Sequence, residues 1–323
     1  MTAFIPARVA QRRWVNPSVL ELVLEAHDST VLPAAAAGAH IDLDLGNGLV
    51  RQYSLVDPAP TGAQRYRIGV KVQSDGRGGS RRVAEQLLEG GPITVGTPRN
   101  LFPLEIQTQR PVVLVAGGIG ITPIHAMASA LLRTPGTAWQ LHYAFSCREA
   151  AYFPSTWLHD DARVSLYESH PAQGSGKALD LQALVDLAVA QGGADIYCCG
   201  PSGLMEALAR CCEGRPGIRY VQESFEAPDL SDGSETAFDV TLARSGRTIR
   251  VAADRSILEA LREAGVGVPS SCEQGICGAC ETPVLAGTPL HRDAILSPGE
   301  QAAARSMMIC CSRASTPALT LDL

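Results

Sequence analysis

Three cysteines within nine residues, Cys272, Cys277 and Cys280, read C-x4-C-x2-C, and Cys310 follows after a long gap. This is the spacing of a plant-type [2Fe–2S] site, in which four thiolates hold two irons. Thiolates are soft donors that suit such clusters. A loop supplying three of the four ligands must wrap tightly, and Gly275 and Gly278 allow the turns this needs. The spacing implies one-electron transfer. The alternatives are a zinc site or plain core thiols. Zinc usually takes two short C-x2-C or C/H pairs, and here only Cys277 and Cys280 form one. Cys311 adjoins Cys310, and neighbours on an extended segment face opposite sides, so both cannot readily serve one iron.

The remaining cysteines, Cys147, Cys198, Cys199, Cys211 and Cys212, show no disulfide framework, and no secretory signal opens the chain. A reducing, cytoplasmic setting is expected. Cys211 and Cys212 read as small buried hydrophobes on a helix face. The net charge of −6 carries no basic stripe, so neither nucleic-acid binding nor a polybasic membrane anchor is expected. The apolar stretch from Pro111 to Leu132 is broken by glycines and holds His125. It reads as a strand, a glycine turn and a helix rather than a membrane span.

A chain of 323 residues is too long for one ordinary core. Residues 1–104 alternate in short runs such as HIDLDL and YRIGVKV between Gly, Pro and Asp turns, the pattern of an antiparallel β-barrel. A short helix is expected from Ser80 to Leu88, after Gly76, Gly78 and Gly79. Residues 105–226 alternate strands (PVVLVAG, WQLHYAF, RVSLYES, ADIYCCG) with helices, which predicts an α/β domain on a parallel sheet. Residues 227–236 form an acidic, small-residue linker with a solvated face. Residues 237–323 begin with a hairpin and continue with a helix capped by Ser256 and Glu259 and stopped by Gly265, an α+β domain carrying the cysteine loop.

Two further sites suggest themselves. Arg51, Tyr53 and Ser54 end a strand in R-x-Y-S, which alone is no more than a strand end. Downstream, Gly78, Gly79 and Ser80 open a helix whose N–H groups could take a phosphate. A flavin needs such a site, with Tyr53 as an aromatic face and Arg51 as a counter-charge. Gly117, Gly118, Gly120 and Thr122 lie in GGIGITP between a strand and a helix. Thr122 is expected as N-cap and Pro123 as first helical residue, with a dinucleotide pyrophosphate at the helix end. The run departs from G-x-G-x-x-G, and a structural turn is the alternative. Cys199, Gly200 and Pro201 follow another strand, and ligands of open α/β sheets bind at that carboxyl edge. Cys199 could equally be a buried thiol. His125, His142, His159, His170 and His291 show no metal spacing and read as core or surface residues.

R-x-Y-S, G-G-S, G-G-I-G-I-T-P, C-G-P and C-x4-C-x2-C…C, in that order over essentially the whole chain, resemble the phthalate dioxygenase reductase family, an order shared by vanillate demethylase reductases. The resemblance implies an FMN-binding barrel, an NADH-binding α/β domain and a plant-type ferredoxin domain of β-grasp fold, in a reductase feeding a Rieske non-haem iron oxygenase. It places Arg51, Tyr53, Ser54, Val70, Lys71 and Phe225 at the flavin ring, Gly78, Gly79 and Ser80 at its phosphate, and Thr122 near it. Family members read C-V-S-R-A where this chain has Cys310-Cys311-Ser312-Arg313-Ala314, which makes Cys310 the fourth ligand and Cys311 a core residue. NADH is favoured over NADPH, since Glu149 would oppose a 2′-phosphate on Arg148. Ser54, Cys199 and Glu223 are candidates to line the nicotinamide–flavin contact, although Glu223 could be a solvated strand end. Hydride transfer to a flavin needs no acid–base pair, and no catalytic residue is assigned. A monomer is expected. A stand-alone reductase serving another acceptor, or a carrier with degenerate nucleotide sites, are the competing readings. The fused cluster motif argues against the first and the intact glycine loops against the second.

Overall fold

The computed structural model describes residues 4–27, 31–46, 49–73, 78–107, 110–154, 157, 161–172, 176–225 and 236–323. Gly76, His159 and positions 227–235 of the expected linker lie outside the described residues. The chain forms two compact units, residues 2–225 and 226–323.

The first unit opens with strands β1 (Phe4–Asn16), β2 (Val19–Ala26), β3 (His40–Asp44), β4 (Val50–Ser54), β5 (Arg65–Lys71) and β6 (Pro92–Gly96), with helix α1 (Gly79–Gln86) before β6. They pair antiparallel in the order β4-β3-β6-β1-β2-β5. A bridge from Leu55 to Ile68 returns the end of β4 to β5 and closes the barrel. Alternation puts Leu20, Leu22, Leu24, Ile41, Leu43, Ile68 and Val70 into one core. The expected helix over 80–88 runs from Gly79 to Gln86 instead.

A parallel sheet follows, built from β7 (Val112–Gly117), β8 (Trp139–Phe145), β9 (Val164–Glu168), β10 (Ala194–Cys199) and β11 (Ile218–Glu223) in the order β11-β10-β7-β8-β9. Helix α2 (Ile121–Leu132) covers one face. Helices α3 (Leu181–Ala190) and α4 (Ser202–Cys212) cover the other. The near-continuous apolar runs of β7 and β10 follow from burial on both sides. The core under α2 also takes in Val19, Ala37, Val56 and Phe102 from the barrel side, so this cluster spans the seam of the two sheets while the barrel keeps a core of its own. His125 belongs to it, fully buried, with Nδ1 3.1 Å from the Val56 carbonyl oxygen.

The second unit is a mixed sheet of β12 (Phe238–Leu242), β13 (Thr248–Val251), β14 (Glu281–Ala286), β16 (Ser306–Met308) and β18 (Ala318–Leu321), ordered β13-β12-β18-β14-β16. A second pair joins β15 (Pro289–Leu290) and β17 (Arg313–Ala314). Helix α5 (Ile257–Glu263) packs its apolar side into this core, and α6 (Pro298–Ala303) lies before β16. Parallel pairing of the first and last strands, with a helix packed on the sheet, is the β-grasp arrangement. The capping box at Ser256 and Glu259 forms as expected, and Gly265 turns the chain at φ +75°. Among the described residues no helix is long and apolar enough to cross a membrane.

Candidate functional site

Cys272, Cys277 and Cys280 lie on the loop between α5 and β14, and Cys310 just after β16; all four are buried. The loop needs the left-handed region at Glu273, Gly275 and Gly278, with φ of 56°, 71° and 71°. The thiol of Cys272 reaches those of Cys277 and Cys310, and Cys310 reaches Cys280. The Cys272 thiol and burial together push the Cys277 thiol far above the ordinary range. Four crowded, buried thiols, of which Cys272, Cys277 and Cys310 are pushed up, are a poor resting state without cations and a fitting one around two irons. Two loop amides already point at sulfur: Gln274 N donates to Cys272 Sγ at 3.3 Å and Ala279 N to Cys277 Sγ at 3.4 Å. Such donors tune a bound cluster. Cys311 packs on Gly275, where a Cβ would collide with its sulfur, and its thiol reaches that of Cys310. No three His, Cys, Asp or Glu side chains among the described residues form a single-ion site.

In the first unit the glycines of the two loops pack on each other. A Cβ on Gly120 would collide with the Cys199 carbonyl oxygen, and one on Gly117 would stand 2.7 Å from Pro201 and 3.3 Å from Gly200. Gly118 has φ +53° and open space where its Cβ would be. Gly117, Gly120 and Gly200 thus serve loop-to-loop packing, while Gly118 leaves its peptide accessible. The expectation for Thr122 needs correction. A 3-10 turn over Gly118–Gly120 leads into α2, whose N-cap is Gly120. Thr122 and Pro123 lie within the helix, and the Thr122 hydroxyl donates to the Ile119 carbonyl at 3.0 Å. The tight turn continues into the helix without a break, so no extended cap residue is needed.

The barrel meets these loops directly. Ser54 hydrogen-bonds Glu223 at the end of β11, and Glu223 pairs in register with Cys199. Thr122 Cγ2 would stand 3.0 Å from a Cβ on Gly69, beside Val70 on β5. Burial raises Glu223 to about 8, against the lowering effect of Ser54. Burial first, then Glu223 and Cys198, push the Cys199 thiol well up. Glu223 Oε2 is shielded from solvent and, among the described residues, has no hydrogen-bond partner. An orphaned carboxylate oxygen there leaves an acceptor for a bound donor group. Phe225 packs at the edge of the same core. Val70 is fully buried in the barrel, so β5 can offer a ligand only its backbone there, whereas Lys71 is exposed.

The helix α1 completes the barrel side. Gly78 caps it at φ +80°, and a Cβ on Gly79 would collide with the Arg51 side chain, which lies across this glycine. Gln73 N donates to Ser80 Oγ at 3.1 Å. A guanidinium beside the free N–H groups of a helix start is the donor set a phosphate requires. At the other end, Arg12 Nη2 donates to Ala84 O at 2.7 Å and Nε to Leu87 O at 3.1 Å. The sequence offered no signal for this contact, because Arg12 lies on β1, far from α1 in the chain.

Residues 240–315 match the family model of 2Fe-2S iron-sulfur cluster binding domains, and residues 114–210 match that of oxidoreductase NAD-binding domains. The phenoxybenzoate dioxygenase subunit beta of Ectopseudomonas oleovorans is 48% identical over 288 residues, covering 89% of this chain and 87% of that protein. The phthalate dioxygenase reductase of Burkholderia cepacia is 35% identical over 320 residues, covering 99% and 98%. The chain belongs to the phthalate dioxygenase reductase family. A solved phthalate dioxygenase reductase, described as carrying electrons from pyridine nucleotides to [2Fe–2S], superposes with a TM-score of 0.75 at 34% identity, over 99% of this chain and 98% of that one. This reductase is an NADH-dependent flavin iron–sulfur oxidoreductase with FMN, NADH and a [2Fe–2S] cluster as its cofactors. The thiol quartet, the Arg51–Gly79 corner and the acceptor at Glu223 fit those groups.

Proposed function

We propose that the reductase supplies electrons to a Rieske-type non-haem iron oxygenase or demethylase acting on an aromatic compound, in the cytoplasm and as a monomer. The convergence of Ser54, Thr122, Cys199 and Glu223 at the seam of barrel and parallel sheet carries the reading of the first unit. With FMN bound, the flavin would take the hydride of NADH, pass its two electrons singly to the cluster and release the proton to solvent. The chain's own residues do the rest. Gly78, Gly79 and Ser80 present the start of α1, and Arg51 the positive charge, to the FMN phosphate. Tyr53, Ser54, the β5 backbone at Val70, Lys71 and Phe225 border the ring. Gly117, Gly118, Gly120, Gly200 and Pro201 form the wall for the nicotinamide nucleotide, with Thr122 beside the ring. Cys199 and Glu223 close that contact, and their neutral forms keep net charge out of it. Cys272, Cys277, Cys280 and Cys310 would together hold the two irons. The working division is a barrel over 1–104, a nucleotide domain over 105–226, a linker over 227–236 and a ferredoxin domain over 237–323.

The dioxygenase names of the relatives favour an oxygenase acceptor over a small-molecule one. The experiment is NADH-driven product formation by a purified oxygenase, one whose gene neighbours this one, with this reductase present and absent. Vigorous cytochrome c reduction without any oxygenase turnover would favour the stand-alone reading.

A further inference from the structure

A polar network buried at the seam is used by none of the roles above. Glu21 on β2 is 4% exposed. Its Oε1 accepts from Arg13 Nη2 at 3.0 Å and from Arg67 Nη1 at 3.2 Å, and its Oε2 accepts from the Tyr152 hydroxyl at 2.7 Å. Tyr152 comes from the other sheet. It lies in the connection between β8 and β9 and is 1% exposed. Its amide donates to the Tyr143 hydroxyl on β8 at 3.1 Å. Asn16, at the end of β1, donates from Nδ2 to the Ala151 carbonyl at 2.9 Å. Two consecutive residues of the nucleotide half are therefore tied to two strands of the barrel.

Burying a carboxylate is costly, and well-packed apolar side chains would hold such a seam as firmly. A buried, fully hydrogen-bonded Glu instead fixes direction and spacing. The place where it does so is specific. A Cβ on Gly69 would meet Tyr152 Cε1 at 2.8 Å and Thr122 Cγ2 at 3.0 Å. The Tyr152 ring and the first turn of α2 thus rest side by side on one glycine of β5. Wherever Glu21 holds Tyr152, the gap between β5 and the glycine turn is set with it.

We propose that the Glu21–Tyr152 hydrogen bond is a positioning element for hydride transfer, holding the flavin-side strand β5 and the nicotinamide-side turn of α2 at their working separation. This rests on the assignment of FMN to the barrel and NADH to the glycine loops. Misplacement by an ångström can slow a reaction about a hundredfold without loss of binding. The test uses the full-length, flavin- and cluster-loaded protein. Tyr152→Phe keeps the ring on Gly69 and removes the bond. Its single-turnover flavin reduction is expected to fall about tenfold or more, with KM for NADH changed by no more than about twofold. The long-wavelength charge-transfer absorbance on adding tetrahydro-NADH, which cannot reduce the flavin, is expected to fade. Glu21→Gln can keep its one acceptor oxygen on Arg13 and Arg67 and donate its amide N–H to the Tyr152 hydroxyl oxygen, so the link to the tyrosine remains and the variant is expected to keep most of both signals. If Tyr152→Phe does not fold, Gly69→Ala, which pushes both neighbours off β5, is expected to give the same pair of losses. Wild-type rate and absorbance in Tyr152→Phe, or in Gly69→Ala where that variant stands in for it, would overturn the proposal. So would losses that merely track a lower Tm and lower flavin content. A wild-type flavin that NADH fails to reduce would instead overturn the assignment of the two sites.

Discussion

Arg12 sits far from any cofactor loop in sequence, yet it should set how tightly FMN is held. Its guanidinium donates to the carbonyls of Ala84 and Leu87, at the carboxyl end of the eight-residue helix α1. The opposite end of α1 is the proposed phosphate site. A cation at a helix C-terminus contributes about 0.3–1 kcal/mol, and a hydrogen bond from a charged donor about 1.5–3 kcal/mol. Arg12 is only partly buried, so water recovers a good share of this when the side chain is removed. A net loosening of about 1–2 kcal/mol remains, which at 1.4 kcal/mol per tenfold is a rise in Kd for FMN of about 5- to 30-fold in Arg12→Met. The assay is flavin fluorescence quenching on titrating flavin-stripped protein with FMN and, in parallel, with riboflavin. Riboflavin lacks the phosphate, and its affinity should stay within about twofold, because only the helix end is disturbed. Equal weakening of both flavins would show that Arg12 holds the barrel generally and would refute the argument. An unchanged FMN affinity would do the same.

Cys277→Ser should abolish cytochrome c reduction while NADH still bleaches the flavin, since the electron exit and not the entry is cut; stopped-flow absorbance separates the two. Cys311→Val should retain full iron content and the visible cluster bands, whereas Cys310→Ala should lose both, because Cys310 reaches Cys272 and Cys280 while Cys311 packs on Gly275 and reaches Cys310. Gly120→Ala should lower Tm markedly or prevent folding, by an amount of order 1–3 kcal/mol or more, since its Cβ collides with backbone at Cys199 that cannot retreat. Glu223 is held neutral by burial to about 8, so the folded state binds an extra proton between the ordinary carboxylate range and that value. The flavin-stripped protein should therefore lose stability as pH rises through this window and level off above it. Glu223→Gln should flatten that slope in thermal melts taken from pH 5 to pH 9.

Several features were legible in the chain because they depend on neighbours in sequence. The parallel strands showed as apolar runs, the α5 cap as Ser256 and Glu259, and the cluster loop as four cysteines with glycines at Gly275 and Gly278. The choice of Cys310 over Cys311 rested on the family pattern, because the two cysteines lie in a turn after β16, where Cys311 N donates to Met308 O at 3.2 Å, and not on the extended segment whose alternation was expected. The start of α2 did not follow. A polar residue before a proline reads as an N-cap, but the 3-10 turn from Gly118 winds straight into the helix and places Thr122 inside it. Nor did the sequence distinguish glycines that seat one loop on another from those with open space beside them. Gly117, Gly120 and Gly200 are of the first kind; Gly118 is of the second.

Short-range rules therefore determined many of the elements and three of the four thiols of this reductase, since turn geometry, helix caps and the C-x4-C-x2-C run are settled within about ten residues, whereas Cys310 is brought in from a distant turn. Only the tertiary structure decided what the separate motifs have in common. Ser54 and Glu223 share a hydrogen bond, Arg12 braces the helix that Gly79 opens, and Glu21 meets Tyr152 across 131 residues of chain. Such contacts leave no periodic mark, because each depends on how elements distant in the chain pack, within the barrel or across the seam between the sheets, rather than on how either element is built.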